Sequence, residues 1–225
     1  MPIILAIETA TKLCSVAVGR GGLVLASRDL ETPKLAHAEK VNVFIAEVMA
    51  EAGLPLHALD AVAVGTGPGS YTGLRIGLSA AKGLCFALDK PIIGLSTLAT
   101  LVAAARDRVP TLSGTLLPMI DARRMEVFTQ PFSADGSPLS DAAPLVLDAA
   151  WADERAPRVV FGDGADKAIE LWVERPWIDH LRDVRPTAAV MIKPATQRHL
   201  AGRFDDLAYL VPEYGKAANV GKAKG

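Results

Sequence analysis

Two groups of residues have the types and spacing to do chemistry. The first is Glu8 with Thr9 and Thr11, directly after the apolar run PIILAI. An acid flanked by hydroxyls at a strand end can face a phosphate or take a proton. It can equally hydrogen-bond the turn beside it. The second group is GTGPGSYTGLRIG, residues 65–77, which carries Gly65, Gly67, Gly69, Gly73 and Gly77. A phosphate loop of the G-x-x-x-x-G-K-[ST] type needs a lysine that this run lacks, and the glycines miss the G-x-G-x-x-G dinucleotide spacing. What remains is a strand, a glycine turn and a helix whose first N–H groups point at whatever lies in front of them. Such a turn can hold an anion. It can also join a strand to a helix that packs unusually close, and the residues alone leave both readings open.

Other candidates are weaker. The histidines at 37, 57, 180 and 199 are scattered, with none at metal-ligand spacing from another, and solvated or capping roles are expected. Cys14 and Cys85 neighbour no histidine, so neither a disulfide framework nor a zinc spacing is read. Asp121 with Arg123 and Arg124 invites an ion-pair or phosphate reading, or a structural turn, and Ser70 lacks a nucleophile-elbow context. Arg185, Lys193, Arg198 and Arg203 lie within 184–204 without an acid, giving either a local basic face for RNA or a solvated one. No aromatic residues are interleaved there to stack bases.

The elements that must position these groups follow from the pattern. PIILAIE, LCSVAVG and LVLASRDL, the last two joined at Gly21–Gly22, predict an antiparallel meander. Apolar residues Val41, Phe44, Ile45, Val48 and Met49 predict one face of a helix over 35–52 that Gly53 stops. LDAVAVGTG is a buried strand feeding the glycine turn, and 72–88 is a helix loaded with small residues, which suggests close approach to another element. A strand at 90–95 and a helix from Ser96 follow, and the texture changes at Pro110–Gly114. Beyond it, TLLPMIDA and MEVFTQPF predict a second hairpin, RVVFGDG a strand, and 165–174 and 187–204 helices; 133–157 gives only weak signals. The expected division is a lobe over 1–108, a smaller α/β lobe over 109–214 and a disordered tail over 215–225.

Composition bounds the function. With 24 Lys plus Arg against 25 Asp plus Glu in 225 residues, the chain has no bulk charge to hold a polyanion or an anionic membrane. No run approaches the roughly 18 apolar residues of a membrane helix. MPIILAIETA lacks a basic flank and is broken by Glu8, so a secretory signal is not read. A soluble, cytoplasmic protein is expected.

The wording of the segments adds to this. GTGPGSYTGLRIGLSAAKG, preceded by ILAIETATKLCSVAV and followed by PIIGLSTL and IDARRMEVF, closely resembles the TsaB (YeaZ) family, strongly over 1–130 and thinly afterwards. That family is the bacterial accessory subunit in making threonylcarbamoyladenosine (t6A) at position 37 of tRNAs reading codons that begin with A. The resemblance implies a two-lobed α/β fold of the actin, sugar kinase and Hsp70 type (ASKHA), with mixed sheets flanked by helices. It implies a partner, TsaD, the catalytic subunit, and with it TsaE. Where TsaD carries two metal-holding histidines four residues apart, this chain has Thr97 and Leu101, so no metal and no catalytic residue is expected here. TsaD contact is expected through the two helices, with Tyr71, Leu74, Arg75, Leu78, Ala81 and Leu84 from one and Val41 and Ile45 from the other. The same patch implies a homodimer in isolation. No cofactor is expected beyond a nucleotide at the subunit junction, for which Glu8, Thr9, Gly67 and Gly69 are the proximal residues. tRNA is expected to be met only through the complex. The competing reading is a stand-alone ATPase or phosphotransferase of the same fold, using Glu8 and the glycine loop.

Overall fold

The computed structural model describes residues 1–31 and 36–215. The first sheet opens with β1 (Ile3–Glu8), β2 (Leu13–Arg20) and β3 (Leu23–Glu31), the expected meander. Helix α1 (His37–Glu51) ends at Gly53, whose positive φ suits a glycine, and β4 (Ala61–Gly67) runs parallel to β1. Helix α2 (Tyr71–Leu88) follows, capped by the Ser70 hydroxyl, and then β5 (Ile92–Ser96) and α3 (Thr97–Arg108). The strand order is β3-β2-β1-β4-β5. β1 and β4 sit inside with both faces covered, which is why they read as unbroken apolar runs.

The second sheet repeats this plan with β6 (Thr115–Asp121), β7 (Glu126–Thr129), β8 (Ala143–Val146), β9 (Arg158–Phe161) and β10 (Ile178–Leu181), in the order β10-β9-β6-β7-β8. In each sheet an antiparallel three-strand meander is extended by two parallel strands from its first strand. Short α4 (Ala149–Ala152) and α5 (Asp163–Asp166) cover part of it. Strand β8 lies in the stretch with weak sequence signals, as an exposed edge strand where Pro144 is tolerated.

Two expectations need correction. The helix read over 165–174 is broken: α5 stops at Asp166 and a 3-10 turn occupies Ile169–Leu171. The Trp172 indole donates to the Ala165 carbonyl (3.0 Å), which the Ala168 amide also uses, so that carbonyl takes no regular helical partner. The last helix, α6 (Ala188–Leu200), was read as part of the second lobe but packs on the first sheet, where Ala188, Met191, Ile192 and Ala195 join Ile4, Ala6, Ala17 and Ile93. The amide of Ala188 donates to Ser15 Oγ at 2.7 Å, fixing the return. The tail expected over 215–225 lies, but for Gly215, outside the described residues.

Candidate functional site

Glu8 ends β1 with none of its surface exposed. Its carboxylate accepts the Ala10 amide at 2.8 Å and the Thr97 hydroxyl at 3.2 Å. A Cβ at Gly65 would overlap both carboxylate oxygens, so glycine there makes room for the acid against β4. Burial is the largest influence on Glu8 and lifts its pKa to about 7, against the lowering pull of the Ala10 amide, the Thr97 hydroxyl and the Thr9 amide. Thr97 and Leu101, the two positions the family comparison singles out, are both interior, and Leu101 packs in the core of the second lobe.

The glycine segment is held from the protein side. Thr9 Oγ1 donates to the Gly73 carbonyl at 2.8 Å. A Cβ at Gly73 would overlap the Thr9 carbonyl oxygen, and one at Gly77 the Thr9 hydroxyl, so these two glycines let α2 lie directly on the end of β1. The Ser70 amide donates to the Ala10 carbonyl (2.6 Å), and the Ser70 hydroxyl takes the Gly73 amide (3.2 Å). Gly69 is pressed by the Ala10 carbonyl, and Gly67, at φ +107°, by the Glu213 carbonyl. The close neighbours at Gly67 and Gly69 are thus backbone oxygens of Glu213 and Ala10, and the Ser70 amide is already used by Ala10. Of the two readings of this turn, close packing describes what its glycines do.

His37 is likewise interior: its Nε2 bonds the Thr11 carbonyl at 2.8 Å, its Nδ1 has no partner, and burial lowers its pKa despite the Thr11 bond. His180 bonds Asp166 at 2.9 Å, so of the expected solvated or capping roles the solvated one fails at both places. Two of the four cations of the basic stretch are spent internally, while Lys193 and Arg203 are exposed. Arg185 pairs with Asp166 (2.7 Å) and Glu31, and Arg198 with Asp205 and the Gly94 carbonyl. Asp121 pairs with Lys167, while Arg123 and Arg124 turn at positive φ. Among the described residues no group of three His, Cys, Asp or Glu side chains is placed to hold a metal, and no helix is long and apolar enough to cross a membrane.

The helix pair changes the list of contact residues. Leu74, Leu78, Ala81, Val41 and Ile45 are buried in this chain, because the apolar period of each helix marks the face turned to its own sheet. Leu84 is half-buried, and Tyr71 and Arg75 are exposed, Tyr71 by 49%. A groove of about 590 Å³ runs between the helices, lined among others by Asn42, Tyr71, Arg75, Ile76, Ser79 and Ala80. The apolar pattern passed over this outer stripe. Its available signal was the small residues Ser79, Ala80 and Gly83.

Comparison with known proteins bears on what this geometry serves. A family model described as "TsaD: tRNA N6-adenosine threonylcarbamoyltransferase" matches residues 31–152. The tRNA threonylcarbamoyladenosine biosynthesis protein TsaB of Escherichia coli is 32% identical over 222 residues, spanning 94% of this chain and 93% of that one. The chain belongs to the TsaB (YeaZ) family. YeaZ from Pseudomonas aeruginosa superimposes with a TM-score of 0.79 at 29% identity, over 95% of this chain and 100% of that structure. A fainter likeness, TM-score 0.51 at 9% identity, to an activator of 2-hydroxyisocaproyl-CoA dehydratase from Clostridium difficile shows the fold alone. The repeated sheet plan is the expected two-lobed α/β architecture of mixed sheets flanked by helices, and that likeness agrees with it at the level of fold.

Proposed function

We propose that this chain is a non-catalytic subunit in t6A biosynthesis. It binds TsaD, and with it TsaE, and holds TsaD in a productive shape for transfer of threonylcarbamoyl to N6 of adenosine 37 in tRNAs reading ANN codons. The observation that carries the reading is the closed corner at Glu8. The acid is enclosed by Ala10, Gly65 and Thr97, and Leu101 fills the second place at which the resemblance expects a metal-holding histidine in TsaD. A buried acid satisfied by an amide and a hydroxyl holds the end of β1 in place. It has no opening through which to act on a substrate.

Docking runs along the outer stripe of α2. Gly73 and Gly77 are explained by the packing on Thr9, whereas a Cβ at Gly83 would meet nothing within 4 Å. A helix-interior glycine costs roughly 1 kcal/mol against alanine. Among the described residues nothing offsets that cost at Gly83, and close approach of a partner helix along Ile76, Ala80 and Gly83 does. The same stripe joins two copies when TsaD is absent. tRNA is reached through the complex, in keeping with the internal pairing of Arg185 and Arg198. Ala80→Trp tests the reading: the variant is expected to fold with an unchanged melting temperature and to lose co-purification with TsaD of the same organism. Retained co-purification removes the stripe from the interface, and ATP turnover by the lone chain that Glu8→Ala abolishes favours the phosphotransferase reading instead.

A further inference from the structure

After α6, residues 205–215 return along the first sheet and α2. Asp205 pairs with Ile92 of β5, its carboxylate taking the Gly94 amide (2.7 Å) and Arg198 (3.0 Å). Leu207 and Leu210 then pack on the first core, and Lys82 of α2 donates to the Ala208 carbonyl (3.1 Å). The Glu213 amide donates to the Thr66 carbonyl (2.7 Å), and the Tyr214 ring lies 4.6 Å from that of Tyr71. Gly215 abuts the Phe128 ring of β7, in the other lobe. The contact at Lys82 precedes the one at Tyr71 along this segment, so 208–214 runs antiparallel to α2. The lengths agree: the helix between those contacts spans about 16 Å, and extended chain from 208 to 214 about 20 Å. Burial alternates as in a strand, with Leu210, Pro212 and Tyr214 half-buried and Tyr209, Val211 and Glu213 exposed.

Two large apolar side chains, Tyr209 at 82% exposure and Val211 at 66%, thus stand outward on a segment anchored beside α2. At its end Tyr214 backs Tyr71, whose hydroxyl accepts Arg75 Nη1 at 2.7 Å, with the guanidinium carbon 4.9 Å from the ring centre. This stack fixes an exposed Arg–Tyr pair before any partner arrives, so less side-chain freedom is lost on binding. Helix α2 itself carries Arg75 and Lys82 and no acid.

We infer that residues 205–215 form a strap that is a third element of the partner interface. Tyr209 and Val211 extend the α2 stripe, and Tyr214 presets Tyr71 and Arg75 for an acid-bearing amphipathic helix of the partner. The inference rests on the docking reading above and adds a surface outside the two helices. It also gives partner binding a physical path to the second lobe, through Gly215 and Phe128.

The test uses the full chain and its TsaD. Tyr209→Ser with Val211→Ser is expected to weaken TsaD binding about tenfold by calorimetry, and Tyr214→Ala several-fold, with melting temperatures held near that of the unaltered chain. Hydrogen exchange at the Glu213 amide is expected to slow on TsaD binding. Val173→Ser, at an exposed position of the second lobe, serves as the control and leaves affinity unchanged. Unchanged affinity and unchanged Glu213 exchange in a chain that still binds TsaD, and loses it on Ala80→Trp, overturns the strap while leaving the helical docking intact. Failure of the unaltered chain to bind TsaD overturns both.

Discussion

Glu8 and Asp121 occupy the same place in two sheets of the same order, each ending the strand from which a meander and two parallel strands extend. Glu8 is wholly buried, satisfied by an amide and a hydroxyl, and burial makes it a weak acid. Asp121 has a 38% exposed side chain, pairs with Lys167, and accepts the Arg123 amide (2.8 Å). Repeated topology fixes where a strand-end acid lies. What covers that end decides whether the acid is sealed or open. The first lobe has α2 laid flat on the end of β1 by Gly73 and Gly77, whereas the second has only the four-residue α5 at the equivalent position.

The comparison breaks first at Gly73. Gly73→Ala sets a methyl against the Thr9 carbonyl oxygen, which is backbone and cannot swing away, so a loss of at least about 3 kcal/mol or failure to fold is expected by urea titration. Near-native stability would mean that α2 is not held tightly against Thr9.

Glu8→Gln tests the sealing directly. Burial raises the folded pKa from 4.5 to about 7, so the folded chain keeps a proton that the unfolded chain gives up within that window. Stability therefore falls as pH rises from about 4.5 to 7, by up to roughly 1.4 kcal/mol per unit and on the order of 3 kcal/mol in all, and levels off above. Gln fills the same space and can serve both partners, so the variant is expected to lose this slope and to be more stable than the parent at pH 8. Melting curves at pH 5 and pH 8 that fall in parallel for both chains would show that Glu8 reaches water.

Smaller effects sharpen the contrast. Gly83→Ala is expected to stabilise the free chain by about 0.5–1 kcal/mol in urea, since nothing opposes the methyl, and to weaken TsaD binding where the axes come close. A loss of stability would mean an internal role for Gly83. Asp121→Asn is expected to cost under about 1 kcal/mol by thermal melting, as suits a partly exposed pair. A larger cost would make the second strand end as closed as the first.

Much of the first lobe was legible in local pattern. Short apolar runs and the Gly21–Gly22 turn mark the meander, the period through Val41 and Met49 marks α1, and the small residues of α2 mark close approach. What the pattern could not show is contact between distant residues. Asp205 meets Gly94 across 111 positions, and Glu213 covers Gly67, so the return of α6 and the strap to the first sheet leave no local trace. Most of the expected contact residues lie buried for a related reason: apolar spacing on a helix identifies the face that is used inside the chain. Tyr71 and Arg75 stay exposed because polar residues on that helix have no place inward. The break after Asp166 is accompanied by the Trp172 indole bond to the Ala165 carbonyl, again outside any periodicity.

The central claim is that this chain acts through contact and leaves chemistry to its partner. Reconstituted tRNA threonylcarbamoylation with this chain, TsaD and TsaE, each omitted in turn, tests it most directly. Modification is expected to be lost when this chain is left out, with no modification and no ATP turnover by this chain alone. Full modification in its absence, or turnover by the chain on its own, would contradict it.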